Sequence, residues 1–217
     1  MKSDLAALGA VLLWASLATL GVTLGNIPPL LMTGLGLLIG SAISLPLSGF
    51  KISKLFVPWK ALLIGVYGLL GYHLLLFAAL QLAPAVQANL LNYLWPLLIV
   101  LLAPVFQKTN LRLRHAVAGL LGFTGAAFAI QSAGLAGFSS EYLLGYLFAL
   151  AAAIVWATFS LMSSRLENLS SYSIGSFAFV SGLIALGLHF ALEAPVQIEM
   201  SDVLLLVILG LGPLGGA

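Results

Sequence analysis

Between Lys60 and Lys108 the chain runs for forty-seven residues, 61 to 107, without one Lys, Arg, Asp or Glu. One straight helix of that length would measure roughly 70 Å, twice the depth of a bilayer's hydrocarbon. The run must fold back on itself. Ala83-Pro84 is the place, because Pro cannot continue a helix but suits the first turn of the next. Two antiparallel spans result, one carrying Gly71-Tyr72-His73 and the other Asn92-Tyr93-Leu94-Trp95-Pro96. Their uncharged polar and aromatic groups, with Gln87 and Asn89, fall inside the apolar runs. Such groups are costly against lipid unless they face a cavity or a partner, so the hairpin is the first place to look for a binding site.

The rest of the chain is of the same kind. Charged residues make up 6% and mean hydropathy is +1.17, where a soluble domain carries about 25% charge. This composition defines a polytopic, all-α membrane protein. Cys is absent, which excludes disulfides, thiolate metal sites and thiol nucleophiles. The basic pI, near 9.0, comes from cations scattered over short loops and reflects membrane orientation, not a nucleic-acid partner.

Eight spans are expected. Leu5 to Leu24 is uncharged and long enough to cross, and it is expected to be retained, since it exceeds a signal peptide's apolar region and more spans follow. Gly25 to Pro29 is a turn, and span two continues to about Leu47 with Gly36, Gly40 and Ser44 as a small-residue packing stripe. Spans three and four form the hairpin. Span five runs from about His115 to Ser132 with a second stripe, Ala118, Gly122 and Ala126; span six from Tyr142 to Ser163; span seven from Tyr172 to Leu192; and span eight from Asp202 onward. Loops are expected at 107 to 114, 133 to 141, 165 to 171 and 193 to 201. A cytoplasmic N-terminus puts all eight Lys and Arg inside and leaves Glu141, Glu193, Glu199 and Asp202 outside.

An internal repeat organises these spans. Shifting by 142 residues lays Leu5 to Ala10 on Leu147 to Ala152, and Trp14-Ala15-Ser16 on Trp156-Ala157-Thr158. Gly65, Leu69 and Gly71 meet Gly210, Leu214 and Gly216 at a shift of 145. Five spans per repeat is an odd number, so the two copies have opposite orientation. The expectation is an inverted repeat of five-helix units, with residues 1–134 as the first and 141–217 as an incomplete second. Ten spans are then expected, about seven and a half of them in these 217 residues.

The paired Trp-Ala-[Ser/Thr], the inverted five-span sets, Gly71-Tyr72-His73 and Asn92-Tyr93-Leu94-Trp95-Pro96 resemble the drug/metabolite transporter superfamily, EamA family, and within it the exporters of aromatic amino acids. That resemblance implies export of amino acids and other small metabolites across the bacterial inner membrane, through a central cavity walled by both repeats. Carried over by position, it puts Tyr72, His73, Tyr93, Trp95, Trp14 and Trp156 in or beside that cavity.

The residues also have readings of their own. Ala85, Asn89, Asn92 and Pro96 share one helical face. Asn89 and Asn92 either hydrogen-bond a substrate's amino and carboxyl groups or bond a neighbouring helix. Pro96 frees a carbonyl near Asn92, giving a ligand contact or a hinge. His73, the deepest ionisable group, either lines the cavity or carries protons; His189 and His115 are expected at the interface. Trp14, Trp95 and Trp156 lie toward span interiors, where stacking and cation–π attraction suit a flat apolar or cationic ligand, whereas Trp59 fits an interfacial belt. No Asp or Glu lies at depth in any span of these 217 residues, so facilitated passage leads, with proton coupling through His73 or through further helices as the rival.

No HExxH, GxSxG, phosphate loop or intramembrane carboxylate pair is present, so catalysis is not expected, nor any cofactor or metal. The partners expected are a small-molecule substrate and the lipid bilayer; oligomeric state is open. An exporter of hydrophobic cations or other metabolites would fit the same residues. A scaffold subunit would use the small-residue stripes but has no need of the Tyr-His-Asn-Trp cluster.

Overall fold

A computed structural model describes residues 2–107, 113–132, 138–166 and 169–215. The expected loop positions 108–112, 133–137 and 167–168, and Gly216 of the repeat, lie outside them. The described residues are helical, with no strand among them: α1 (Lys2–Thr23), α2 (Pro29–Ser41), α3 (Ser44–Leu47), α4 (Trp59–Leu82), α5 (Ala85–Asn92), α6 (Trp95–Gln107), α7 (Leu113–Ser132), α8 (Leu143–Ser163), α9 (Ser173–Leu192) and α10 (Met200–Leu209). Among them, Pro29–Leu47, Trp59–Leu82, Ala85–Phe106, Ser140–Ser163 and Ser173–Leu192 are long and apolar enough to cross a membrane, and Leu8–Thr23 and Met200–Leu214 are shorter apolar helices.

Proline places most breaks. Pro28 precedes α2, with Pro29 as its first residue, and Pro84 sits at the α4–α5 turn. Two spans read as continuous are interrupted. Ala42 and Ile43 separate α2 from α3 because Pro46 has no N–H for the Ala42 carbonyl. Tyr93 and Leu94 separate α5 from α6, where Pro96 removes the donor to Asn92, and Leu94 N–H turns instead to Leu91 O at 3.1 Å. The eighth span relaxes after α10 into a π-helical turn, Gly210–Leu214, around Pro213.

The chain forms two compact units, one of residues 1–70 and 168–217, the other of residues 71–167. In the first, α2 packs along α9 and against the π-helical turn. The contacts fix their sense: a Cβ on Gly34 would lie 2.8 Å from Leu186 Cδ2, one on Gly182 would lie 2.7 Å from Leu38 Cγ, and Gly175 meets Ser44. Numbers rise on one helix as they fall on the other, so α2 and α9 are antiparallel, as an inverted relationship between spans two and seven requires. The stripe of span two is a packing stripe: Gly40 approaches the Gly210 carbonyl so closely that a Cβ would sit 2.8 Å away, and Gly36 receives Leu214 and Leu209.

Polar ties close one end of this unit. The Glu193 carboxylate accepts the N–H groups of Leu30 and Leu31, at 2.9 and 3.2 Å, and so caps the N-terminus of α2 from the end of α9. His189, expected at the interface, is buried with Nδ1 2.8 Å from Glu193 Oε2. Asp202 Oδ2 accepts from Glu199 N–H and from Asn26 Nδ2, both at 3.0 Å, joining the turn after α1 to α10.

Candidate functional site

The second unit holds most of the residues the sequence singles out. Two close approaches bring α8 against the end of α4. At Gly71 a Cβ would be 3.3 Å from Val155 Cγ1, and at Gly145 one would be 2.6 Å from Ala83 Cβ. Beside the first of these points Tyr72 meets Trp156, ring centroids 4.6 Å apart and tilted by 40°. Phe159 extends the stack at 5.4 Å from Trp156. His73 adds its ring edge-on to Tyr72 at 5.0 Å and lies 6.0 Å from Phe77. Tyr72 and His73 are buried, while Trp156 keeps some exposure.

Asn92, the last residue of α5, crosses to this cluster. Its Nδ2 donates to the Tyr72 hydroxyl at 3.2 Å, and its Oδ1 has no partner among the described residues although Asn92 is only 3% exposed. A buried amide left half satisfied is costly, and costlier where no water competes. Asn92 thus bonds a neighbouring helix through its Nδ2, as one of its two readings has it.

Asn89 and Tyr93 face the other way. With Val86, Pro96, Leu97 and Val100 they form one wall of a cleft of about 760 Å³, whose opposite wall is α7, with Ala118, Gly119, Gly122 and Phe123. Ala85, Asn89, Asn92 and Pro96 thus do not act as one face: Asn92 turns to Tyr72 of α4, while Asn89 and Pro96 line the cleft. The stripe of span five also differs from a packing stripe. Gly122 has open space where a Cβ would stand, whereas its neighbour Gly119, which the sequence reading did not select, carries the close approach, to Leu97 at 2.9 Å. The side chain of Ala126 lies outside the described residues. Trp95 opens α6 and is partly exposed. Trp14 stands on α1 in the other unit and is 44% exposed.

Phe77, Phe159 and the α7 wall were not foreseen. Phe159 lies three residues from Trp156 and Phe77 four from His73, so helical spacing could have found both. Nothing in the sequence distinguished Gly119 from Gly122. Among the described residues no group of three His, Cys, Asp or Glu side chains could hold a metal ion.

Described residues that are helical throughout their regular elements, with five helices long and apolar enough to cross a membrane, mark a polytopic membrane protein. Residues 1–131 match the EamA-like transporter family, and the chain belongs to that family. It is 37% identical over 210 residues to the aromatic amino acid exporter YddG of Ancylobacter novellus, an alignment covering 95% of this chain and 73% of the relative. A solved crystal structure superposes with a TM-score of 0.81 at 35% identity, covering 99% of this chain and 75% of that one.

Proposed function

We propose that this protein exports aromatic and other neutral amino acids across the bacterial inner membrane, with its N-terminus in the cytoplasm. The observation that carries the reading is the Tyr72–Trp156 pair with the spare amide oxygen of Asn92 beside it. Ring faces accept an aromatic side chain, and the amide supplies one hydrogen bond to the substrate's polar end. His73 adds a second polar group at the same depth, and Asn89, Tyr93 and Trp95 offer polar and aromatic contacts along span four. The name of the Ancylobacter relative supports the same substrate class.

Residues 1–134 and 141–217 act in this reading as two inverted repeats that rock in alternating access, with the Pro96 interruption as a flex point. The antiparallel α2 and α9 support it. Facilitated passage fits the lack of Asp and Glu at span depth within these 217 residues, with proton coupling through His73 as the rival. The Tyr72–Trp156 cluster favours this reading over a scaffold subunit, which has no need of a ligand-ready amide.

The test is counterflow of labelled Trp, Phe, Tyr, Met and Thr in proteoliposomes, beside a Trp156→Ala variant. Saturable flux that the variant loses supports the proposal; absence of flux for every amino acid removes it. Adding an imposed pH gradient to the same vesicles separates the modes of coupling. Flux that follows the gradient, and stops following it in His73→Gln, would replace facilitation by proton coupling.

A further inference from the structure

The segment from Ser48 to Lys60 leads from the end of α3 into the first turn of α4. It contains Lys51, Lys54 and Lys60 and no acidic residue. Its apolar side chains are outside: Phe50 is 71% exposed, Ile52 62%, Phe56 78% and Trp59 67%.

The backbone is committed to that presentation. Gly49 and Phe50 both take left-handed conformations, φ 69° and 58°, and Phe50 is the one non-glycine residue with positive φ among those described. Gly49 N–H bonds to Pro46 O at 2.9 Å and Phe50 N–H to Leu45 O at 3.0 Å, closing the end of α3. A bulky residue in this region is strained, and Phe50 does not recover the strain by packing inside the protein. Further along, the 3-10 turn Ile52–Lys54 puts Lys51 and Lys54, three residues apart, on one edge. Ser176 Oγ donates to the Leu55 carbonyl, and Lys54 Nζ sits 5.4 Å above the Tyr172 ring, so the start of α9 pins the segment. Trp59 begins α4 with Lys60 Nζ 5.7 Å over its ring.

A fixed row of aromatic and aliphatic side chains interleaved with lysines, in a segment without acidic residues, matches the layers of a bilayer surface. Apolar rings belong at the acyl boundary and ammonium groups at the phosphates. We propose that residues 48–60 are a lipid-recognition surface on which Phe50, Ile52, Phe56 and Trp59 insert below the headgroups while Lys51, Lys54 and Lys60 bind the phosphates of anionic phospholipids. The partner is the anionic lipid itself, and the inference is independent of what the protein transports.

The test uses the purified full chain, delipidated in detergent and titrated with phosphatidylglycerol or phosphatidylcholine, with bound lipid counted by native mass spectrometry. The expected preference for phosphatidylglycerol is about tenfold, since lysines near an anionic surface favour it and detergent weakens that attraction. A Lys51→Gln/Lys54→Gln/Lys60→Gln variant binds both lipids equally, and the Arg triple keeps the preference. Equal binding by the parent, or an unchanged preference in the Gln triple, overturns the proposal, as does loss of the preference to millimolar inorganic phosphate, which would mark a free-anion site. Phe50→Gly separates this role from a structural one. Glycine accepts φ 58° without strain, so the variant's thermal midpoint in detergent stays level or rises while its retention of both lipids falls. A lower midpoint with retention unchanged means that the ring serves the protein's own packing, and the proposal fails.

Discussion

The Trp156 ring lies 4.6 Å from the Tyr72 ring, and the repeat that pairs Trp14 with Trp156 gives no hint of this partnership across α4 and α8. An aromatic pair is worth about 0.5–1.5 kcal/mol beyond its buried area, so removing one face should weaken an aromatic ligand by roughly three- to tenfold. Trp156→Ala is expected to raise the half-saturating concentration for Trp and Phe by that factor while changing Thr less, and Trp156→Phe should keep most of the affinity. Counterflow concentration series for the three amino acids provide the check. Equal losses for all three would mean that the ring holds the helices and not the substrate.

Tyr72 and Asn92 make a second, separable prediction. Tyr72→Phe strands the whole Asn92 amide, and a buried unsatisfied polar group costs about 1–3 kcal/mol. Replacing both partners by apolar groups of similar shape removes that cost. The thermal midpoint should therefore fall in Tyr72→Phe and recover in Tyr72→Phe/Asn92→Leu, whereas transport should be lost in both. Recovery of flux with stability would take Asn92 out of the substrate site.

Glu193 closes the N-terminus of α2 through Leu30 and Leu31. Capping of this kind is worth about 0.5–2 kcal/mol. Glu193→Ala should lower the thermal midpoint measurably, and Glu193→Gln should lower it less, because the amide oxygen still accepts a backbone N–H but carries no charge for the helix terminus or for His189. Identical midpoints for Ala and Gln would assign the effect to charge alone.

Gly119 and Gly122 lie one turn apart on α7 yet differ in surroundings. A Cβ on Gly119 meets Leu97 at 2.9 Å, and one on Gly122 meets nothing within 4 Å. Gly119→Leu is expected to destabilise by about 1–3 kcal/mol through overpacking, and Gly122→Leu to be tolerated in stability while filling part of the cleft. Expression level and thermal midpoint distinguish them. If Gly122→Leu also abolishes flux, the cleft belongs to the transport path.

The spans were legible because charge is nearly absent and the few loops carry it: the Pro84 turn and the limits of α4, α8 and α9 fall where apolar runs end. Tyr72, His73, Asn92 and Trp156 stood out because polar and aromatic groups at span depth have few innocent reasons to be there. What stayed hidden depends on contacts between segments far apart in sequence. Glu193 reads as an exterior loop residue until α2 is seen to start at its carboxylate, and His189 as interfacial until Glu193 bonds it. Asn89 and Asn92 stand three residues apart on α5, and what separates them is the neighbour each meets, Tyr72 of α4 for Asn92 and the cleft facing α7 for Asn89. Small-residue stripes proved ambiguous for the same reason: Gly36 and Gly40 meet helices, and Gly122 meets a cleft.

Pro96 tests whether the break at Tyr93 and Leu94 is used. With Ala at this position the N–H of residue 96 can donate to the Asn92 carbonyl, and the helix can run unbroken from Ala85 to Gln107. Restoring one helical bond and removing the ring's clash with the preceding turn should stabilise the protein, since proline inside a helix costs about 3 kcal/mol. Healing the break also turns Asn89 and Tyr93 relative to α6 and couples motions that the interruption keeps separate. Pro96→Ala is therefore expected to raise the thermal midpoint and to slow counterflow, with substrate binding less affected than turnover. Thermal denaturation, equilibrium binding of labelled Trp and initial counterflow rates measured on one preparation read out all three. A variant that is more stable and transports at the parent's rate would show that span four does not flex at this point during the cycle, and the flexing would then have to be sought at Gly65, Gly68 or Gly71 of α4.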